Sequence, residues 1–244
     1  MVASHRLVGT WDRFVDRYIV FTNFYREKFI EGGLPEDKIR VKPHFVASDP
    51  GVSRIFRRSY ALFIGRLDPE KGLRTLLNAW RKIDIIPLLI RGEGQCLGEV
   101  QDFIEENKKN KIKLVDRLSR SKLFDLIKGA NFLVWPSEGY YETFGLVAID
   151  AFACGVPVIA SRIGVLAENI EDGVTGLHFK AGNAEDLASK VNWAAEHPEE
   201  MRKMGLNARR VYERKYSSEA NYRRLMEIYQ EAIAENPRNP STEL

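Results

Sequence analysis

Short apolar runs alternate with amphipathic segments along most of the chain, and this alternation is its main structural signal. Between residues 59 and 179 the runs 60–64, 87–90, 112–115, 132–135, 156–160 and 176–179 read as strands. They are apolar nearly throughout rather than at every second position, which is the pattern of a parallel sheet covered on both faces. Helices are expected at 72–82, 97–107, 121–128 and 145–154, with a short one near 166–170. Strands and helices taking turns predict an α/β fold with a doubly wound parallel sheet. Such sheets bind ligands beyond the carboxyl ends of their strands, so the loops after strands are where chemistry is sought.

Beyond residue 179 the pattern turns helical, at 184–195, 199–212 and 218–234, with breaks at Pro198 and Ser217. The last helix carries Tyr222, Leu225, Met226, Tyr229 and Ile233 along one stripe, which needs a partner surface. At the other end, a strand at 18–21, a helix at 23–31 closed by Gly32 and Gly33, and a strand at 39–41 form a separate unit. One β-α-β piece cannot bury a core of its own. It therefore adheres to the rest or is the remnant of a domain whose beginning is absent. The expected division is 1–50 for this unit, 51–58 for a linker, 59–216 for the α/β domain, and 217–244 for the last helix and tail.

Composition narrows the classes. With 244 residues, 44% hydrophobic and 29% charged, the chain has the balance of a soluble globular protein. It is too short for two full nucleotide-binding-type domains, which need roughly 300 residues or more. A formal charge of +3 is too slight for a nucleic-acid surface, although a local basic pocket for phosphates is compatible with it. Cys96 and Cys154 lie far apart with no CxxC, so neither a disulfide framework nor a zinc site is expected. His5, His44, His178 and His197 are scattered and no Asp-x-Asp occurs, so neither a metal nor another cofactor is expected. The first residues lack the apolar core of a signal peptide, and no run approaches the ~18 residues that cross a bilayer. A cytoplasmic location is the expectation. Arg209, Arg210, Arg214 and Lys215 read as a solvated helix face, with peripheral contact to an anionic membrane as the lesser alternative.

Two loops carry candidate chemistry. Gly65-Arg66-Leu67-Asp68-Pro69-Glu70-Lys71-Gly72 follows the first strand of the domain and opens a helix. Its glycines let backbone approach a ligand, and Arg66 and Lys71 bring two cations to the strand end, so a diphosphate would suit it. Taken alone, it is equally a turn with solvated charges. The second loop, from Pro136-Ser137 through Glu142-Thr143-Phe144-Gly145-Leu146 to Asp150, follows the most apolar strand and leads into a helix expected to begin near Phe144. Free amides at such a start form an anion site. Glu142 and Asp150, ~12 Å apart if all between them is helical, would flank it. A nucleotide sugar, with hydroxyls at both ends, fits two flanking acids. Spacing alone does not separate this from a first-turn acid followed by a solvated one.

Together and in order, Gly65-Arg66-Leu67-x-x-Glu70-Lys71-Gly72, Pro136-Ser137, Glu142-x7-Asp150, Ala153-x-Gly155-Val156-Pro157-Val158-Ile159-Ala160-Ser161 and Glu171-Asp172-Gly173-Val174-Thr175-Gly176-Leu177 resemble the donor-binding domain of the group 1 (GT4-type) retaining glycosyltransferases of GT-B fold. The resemblance implies a Rossmann-like donor domain in which Arg66 and Lys71 hold the donor diphosphate and neutralise the leaving group. It implies that Glu142 contacts the transferred sugar and that Asp150 accepts hydrogen bonds from the ribose. Gly65, Thr143, Phe144, Gly145 and Leu146 would face the sugar or phosphates, and residues 115–118 the nucleobase. The implied partners are a UDP-, GDP- or ADP-sugar and a sugar, glycan or lipid-linked acceptor, with Arg66, Lys71 and helix amides in place of a metal. Catalysis would rest on Glu142, Arg66 and Lys71. In the family the last helix crosses back, so Tyr222, Leu225, Tyr229 and Ile233 should contact residues 1–46 or a second copy of the chain, making a homodimer.

The sequence departs from the family pattern in several places. Asp150 stands where Glu is usual, Val165 and Ala167 where Gly and Pro are, and Asp116 where Gly is common. Length is the largest departure, because the chain should hold the donor half of an active site and lack most of the acceptor half. The alternative function is a nucleotide-sugar-binding module without transfer; a sugar-nucleotide epimerase ranks below both.

Overall fold

The computed structural model describes Gly9 and residues 14–52, 59–107, 111–139 and 142–235. Most of the expected linker, and the tail beyond residue 235, lie outside the described residues. A small unit comes first: β1 (Tyr18–Val20), α1 (Asn23–Glu31) and β2 (Ile39–Val41), with β1 and β2 paired in parallel. The α/β domain then runs β3 (Tyr60–Ile64), α2 (Leu73–Trp80), β4 (Leu88–Arg91), α3 (Leu97–Glu106), β5 (Ile112–Val115), α4 (Arg120–Gly129), β6 (Ala130–Trp135), α5 (Leu146–Ala153), β7 (Val158–Ser161), α6 (Gly164–Asn169) and β8 (Gly176–Phe179). Three longer helices follow: α7 (Ala184–Glu196), α8 (Pro198–Val211) and α9 (Ser218–Ala234).

The six strands of the domain lie parallel in the order β5-β4-β3-β6-β7-β8. From β3 the chain winds outward through β4 and β5, returns to β6 on the other side of β3, and winds outward again. The direction reverses between β3 and β6, so the loops after these two strands border the crevice where a doubly wound sheet takes its ligand.

The pleat explains why these strands are apolar throughout. Ala61 and Phe63 of β3 enter one core with Phe132, Leu76, Trp80 and Leu187, whereas Leu62 enters the other with Leu133, Ile149 and Phe152. Alternate residues thus serve opposite faces, each covered by helices. Both cysteines are buried and neither is in a disulfide.

The N-terminal unit adheres to the domain through polar groups as much as apolar ones. The Glu168 carboxylate of α6 accepts from the backbone amides of Asn23 and Phe24 at 2.8 and 2.7 Å, and from the Asn23 side chain at 3.0 Å. An acid at this position satisfies first-turn amides that have no intrahelical partner and complements the helix dipole.

The last helix does return to this unit, but not with the expected face. Of the expected stripe Leu225 and Met226 are half-buried, whereas Tyr222, Tyr229 and Ile233 are 65%, 51% and 60% exposed. The inward face instead buries Ile228 and Asn221. The Asn221 side chain donates to the Pro43 carbonyl (2.5 Å), Arg224 donates to the Val41 carbonyl (3.3 Å), and Glu231 pairs with Arg40 (2.5 Å). The carbonyls near the end of β2 need donors, and this need, rather than aromatic burial, sets the helix rotation.

The basic stretch is also corrected at one position. Arg209 is not solvated; it forks onto Asp49 with two contacts of 2.6 Å, donates to the Ala153 carbonyl and pairs with Glu213. The fork holds the Asp49 carboxyl below its ordinary pKa.

Candidate functional site

The two loops singled out by sequence meet at the switch point. After β3, residues Pro69–Lys71 make a single tight helical turn that ends on Gly72 in the left-handed region, at φ +69°. A Cβ there would stand 1.8 Å from the Pro136 carbonyl oxygen, so a glycine is what lets the β3 loop close onto the β6 loop. The Glu138 amide donates to the Glu70 carbonyl at 3.0 Å, and the Thr75 hydroxyl donates to the Glu138 carboxylate at 2.6 Å. The loops form one rigid rim.

The helix after the second loop begins at Leu146, later than the expected start near Phe144. Gly145 is the reason: its φ of +84° is non-helical, and a Cβ on it would lie 1.8 Å from the Trp135 ring. The amides of Gly145, Leu146 and Val147 have no protein acceptor among the described residues. Phe144 is buried, and its carbonyl accepts from Asn169 at 2.5 Å. Since residues 142–145 are not helical, the all-helical separation of Glu142 from Asp150 does not apply.

A cavity of about 290 Å³ opens between the loops. Its lining includes Gly65, Arg66, Lys71, Glu142, Thr143, Phe144, Gly145 and Leu146, all singled out by sequence. It also includes Phe63, Ile64, Ser137, Val147, Trp135 and His44, which sequence reasoning did not assign to a site. Trp135 is a core residue, as its sequence context suggests, and at the same time a cavity wall whose indole N–H donates to Glu142 at 3.4 Å.

The cavity's charges are paired. Lys71 Nζ meets Glu142 Oε2 at 2.6 Å, each side chain being 18% exposed. Arg66 is largely exposed and reaches Asp68 and Glu70 at 2.6 and 2.8 Å. From the N-terminal unit, the Tyr25 hydroxyl donates to the Glu142 carbonyl at 3.2 Å, and burial together with the Glu142 charge raises its pKa. A larger open groove lies between α2 and α3, away from these loops; Arg74 and Glu99 on its walls are already an ion pair.

Asp150 is elsewhere. It does not line the cavity, and both of its oxygens are taken by a two-pronged contact from Arg120 at 2.7 and 2.5 Å. Burial pushes the Asp150 carboxyl above its ordinary pKa, and the Arg120 hydrogen bonds and charge oppose that shift. Arg120 also lies over the Phe124 ring, 4.4 Å from its centroid. Residues 115–118, expected near a nucleobase, do not line the cavity either. Among the described residues no group of three His, Cys, Asp or Glu converges as metal ligands, and no helix is long and apolar enough to cross a membrane.

The family described as glycosyl transferases group 1 matches residues 52–211, well over half of the chain. The chain belongs to this family. An uncharacterized glycosyltransferase from Methanocaldococcus jannaschii is 32% identical over 173 residues, covering 71% of this chain and 48% of that protein. The D-inositol 3-phosphate glycosyltransferase of Mycolicibacterium smegmatis is 32% identical over 136 residues, 53% of this chain and 31% of that protein. The chain thus spans about half or less of the length of these curated relatives. Its fold is that of solved GT-B glycosyltransferases. Anabaena HepE in complex with UDP superposes with a TM-score of 0.81 at 19% identity, covering 92% of this chain and 66% of that one. Sucrose-phosphate synthase of Thermosynechococcus elongatus gives 0.77 at 25% identity, covering 89% and 58%.

Proposed function

We propose that this chain binds a nucleoside-diphosphate sugar in the β3/β6 crevice and, within a complete glycosyltransferase, passes the sugar to an acceptor with retention at the anomeric carbon. One observation carries the reading: Lys71, Glu142 and the free amides at the start of α5 line a single cavity at the switch point. The amides and Lys71 suit the diphosphate, and Arg66, itself largely exposed, can leave its acidic partners to join them. These groups stabilise the negative charge that grows on the leaving diphosphate, so the reading needs no metal ion. Once phosphate takes Lys71, Glu142 is released to accept from sugar hydroxyls.

On this reading Glu142, Arg66 and Lys71 are catalytic. Gly65 and residues 143–146 complete the binding surface, and Asp150 reaches ribose hydroxyls only together with Arg120. Residues 1–50 are the end of an acceptor-side domain, 51–58 the linker, 59–216 the donor domain and 217–244 the crossover helix and tail. The acceptor is a sugar, glycan or lipid-linked acceptor. The buried thiols Cys96 and Cys154, neither in a disulfide, fit a reducing compartment, the cytoplasm. The exposed Tyr222, Tyr229 and Ile233 are the surface through which a homodimer would form.

Calorimetric titration with UDP, GDP and ADP tests the site. Lys71→Ala should weaken the best-binding diphosphate about tenfold or more, the scale of a lost charge-assisted hydrogen bond of roughly 1.5–3 kcal/mol. An unchanged affinity overturns the assignment. A second reading is binding without transfer. Binding with no donor hydrolysis by the full chain would select it.

A further inference from the structure

One wall of the cavity comes from outside the α/β domain. His44 lies just after β2, in the N-terminal unit, and lines the same cavity as Lys71, Glu142 and Gly145. Its ring is held on two sides: it stacks on Phe21, with centroids 3.9 Å apart, and meets the Phe144 ring edge-on at 5.2 Å. These contacts fix the plane of the imidazole and use neither nitrogen. Among the described residues, no hydrogen bond to either nitrogen is present. The charged groups around it are Lys42 on its own segment and, across the cavity, Lys71, Glu142 and Arg66. Burial, aided by the Lys42 charge, lowers the pKa of His44, so the ring is neutral at pH 7, with one nitrogen donating and the other accepting.

That chemistry matches a sugar hydroxyl, which also donates and accepts, better than an ionised phosphate, which only accepts and is better met by Lys71 and the α5 amides. A cavity of about 290 Å³ is at the small end for ligand sites, the size for a sugar and its phosphates rather than a whole nucleotide sugar. We propose that His44 is a sugar-contacting residue of the donor site: its imidazole hydrogen-bonds a hydroxyl of the sugar carried on the nucleoside diphosphate, and the N-terminal unit thereby completes the donor pocket. The inference rests on the donor-site reading given above.

The test compares a diphosphate with its sugar derivatives on the full chain. UDP, GDP and ADP are titrated first, and the diphosphate that binds is then paired with its glucose, galactose, mannose and N-acetylglucosamine derivatives. His44→Phe keeps the ring contacts and removes both nitrogens, whereas His44→Asn keeps a donor and an acceptor without the ring. His44→Phe should leave diphosphate affinity unchanged and weaken the best sugar nucleotide at least fivefold, with His44→Asn recovering part of the loss. Equal losses for both ligands, or no loss for either, overturn the proposal. In the unaltered chain, the His44 ring resonances should move on adding the sugar nucleotide and not on adding the diphosphate; equal movement would count against it. Failure of every diphosphate to bind the unaltered chain refutes the underlying donor-site reading instead.

Discussion

Glu142 and Asp150 sit eight positions apart in one motif, and each faces a cation, yet the two pairs are built differently. Lys71–Glu142 is a single contact at the edge of a cavity, with both side chains partly open to solvent. Arg120–Asp150 is a two-pronged fork onto an acid that is only 6% exposed, with the arginine 56% exposed. A single contact beside solvent can exchange partners at little cost, because each ion can rehydrate. A buried carboxylate cannot, because without its fork it is left desolvated. The first pair is therefore suited to ligand exchange and the second to holding α4 against α5. Arg120, not Asp150, is the member that faces outward.

Four substitutions can break or sharpen this contrast. The largest effect is expected at Gly145, whose positive φ keeps Glu142 off the helix that carries Asp150. Gly145→Ala must place a Cβ against the Trp135 ring at positive φ, at a cost of about 2–5 kcal/mol from overpacking and backbone strain, read by urea denaturation. Next, Arg120→Met strands the buried acid and should cost about 1–3 kcal/mol, discounted from a fully buried pair because the arginine is exposed. That loss should depend on pH. Burial holds the folded Asp150 pKa above its unfolded value, and removing Arg120 raises it further. Such a group contributes its full stability below the unfolded pKa and loses it as pH rises through the folded one. Thermal melts should therefore show the Arg120→Met penalty shrinking as pH falls toward about 4; a penalty that grows would contradict the burial argument. Lys71→Met should cost less than about 1 kcal/mol in the same denaturation assay while removing most diphosphate binding, the reverse balance to Arg120→Met. Tyr25→Phe, which deletes one hydrogen bond to the Glu142 carbonyl, should cost about 0.5–1 kcal/mol.

Much of the fold is legible in the sequence because parallel strands buried on both faces leave short, nearly unbroken apolar runs; β3, β5 and β8 occupy the expected spans. Both site loops are legible too, since each combines glycine, charge and position at a strand end. The partnerships are less so. Lys71 and Glu142 are 71 positions apart, and Arg120 reaches Asp150 from another helix, so no local pattern joins them. His44, weighed in sequence only as one of four scattered histidines, is not legible as a site residue because its place depends on where the N-terminal unit docks, which Glu168 and α9 decide through contacts distant in sequence. The helix α9 is misread for a related reason. Hydrophobicity favours Tyr222, Tyr229 and Ile233 as its inner face, but the surface it covers offers backbone carbonyls that call for Asn221 and Arg224.

A crystal structure of the full chain with the nucleoside diphosphate that binds it tests the central claim most directly. The two phosphoryl groups should lie within hydrogen-bond distance of Lys71 Nζ and of the Gly145 and Leu146 amides, with the Lys71–Glu142 contact opened. A diphosphate bound elsewhere, with that ion pair intact, would contradict the account.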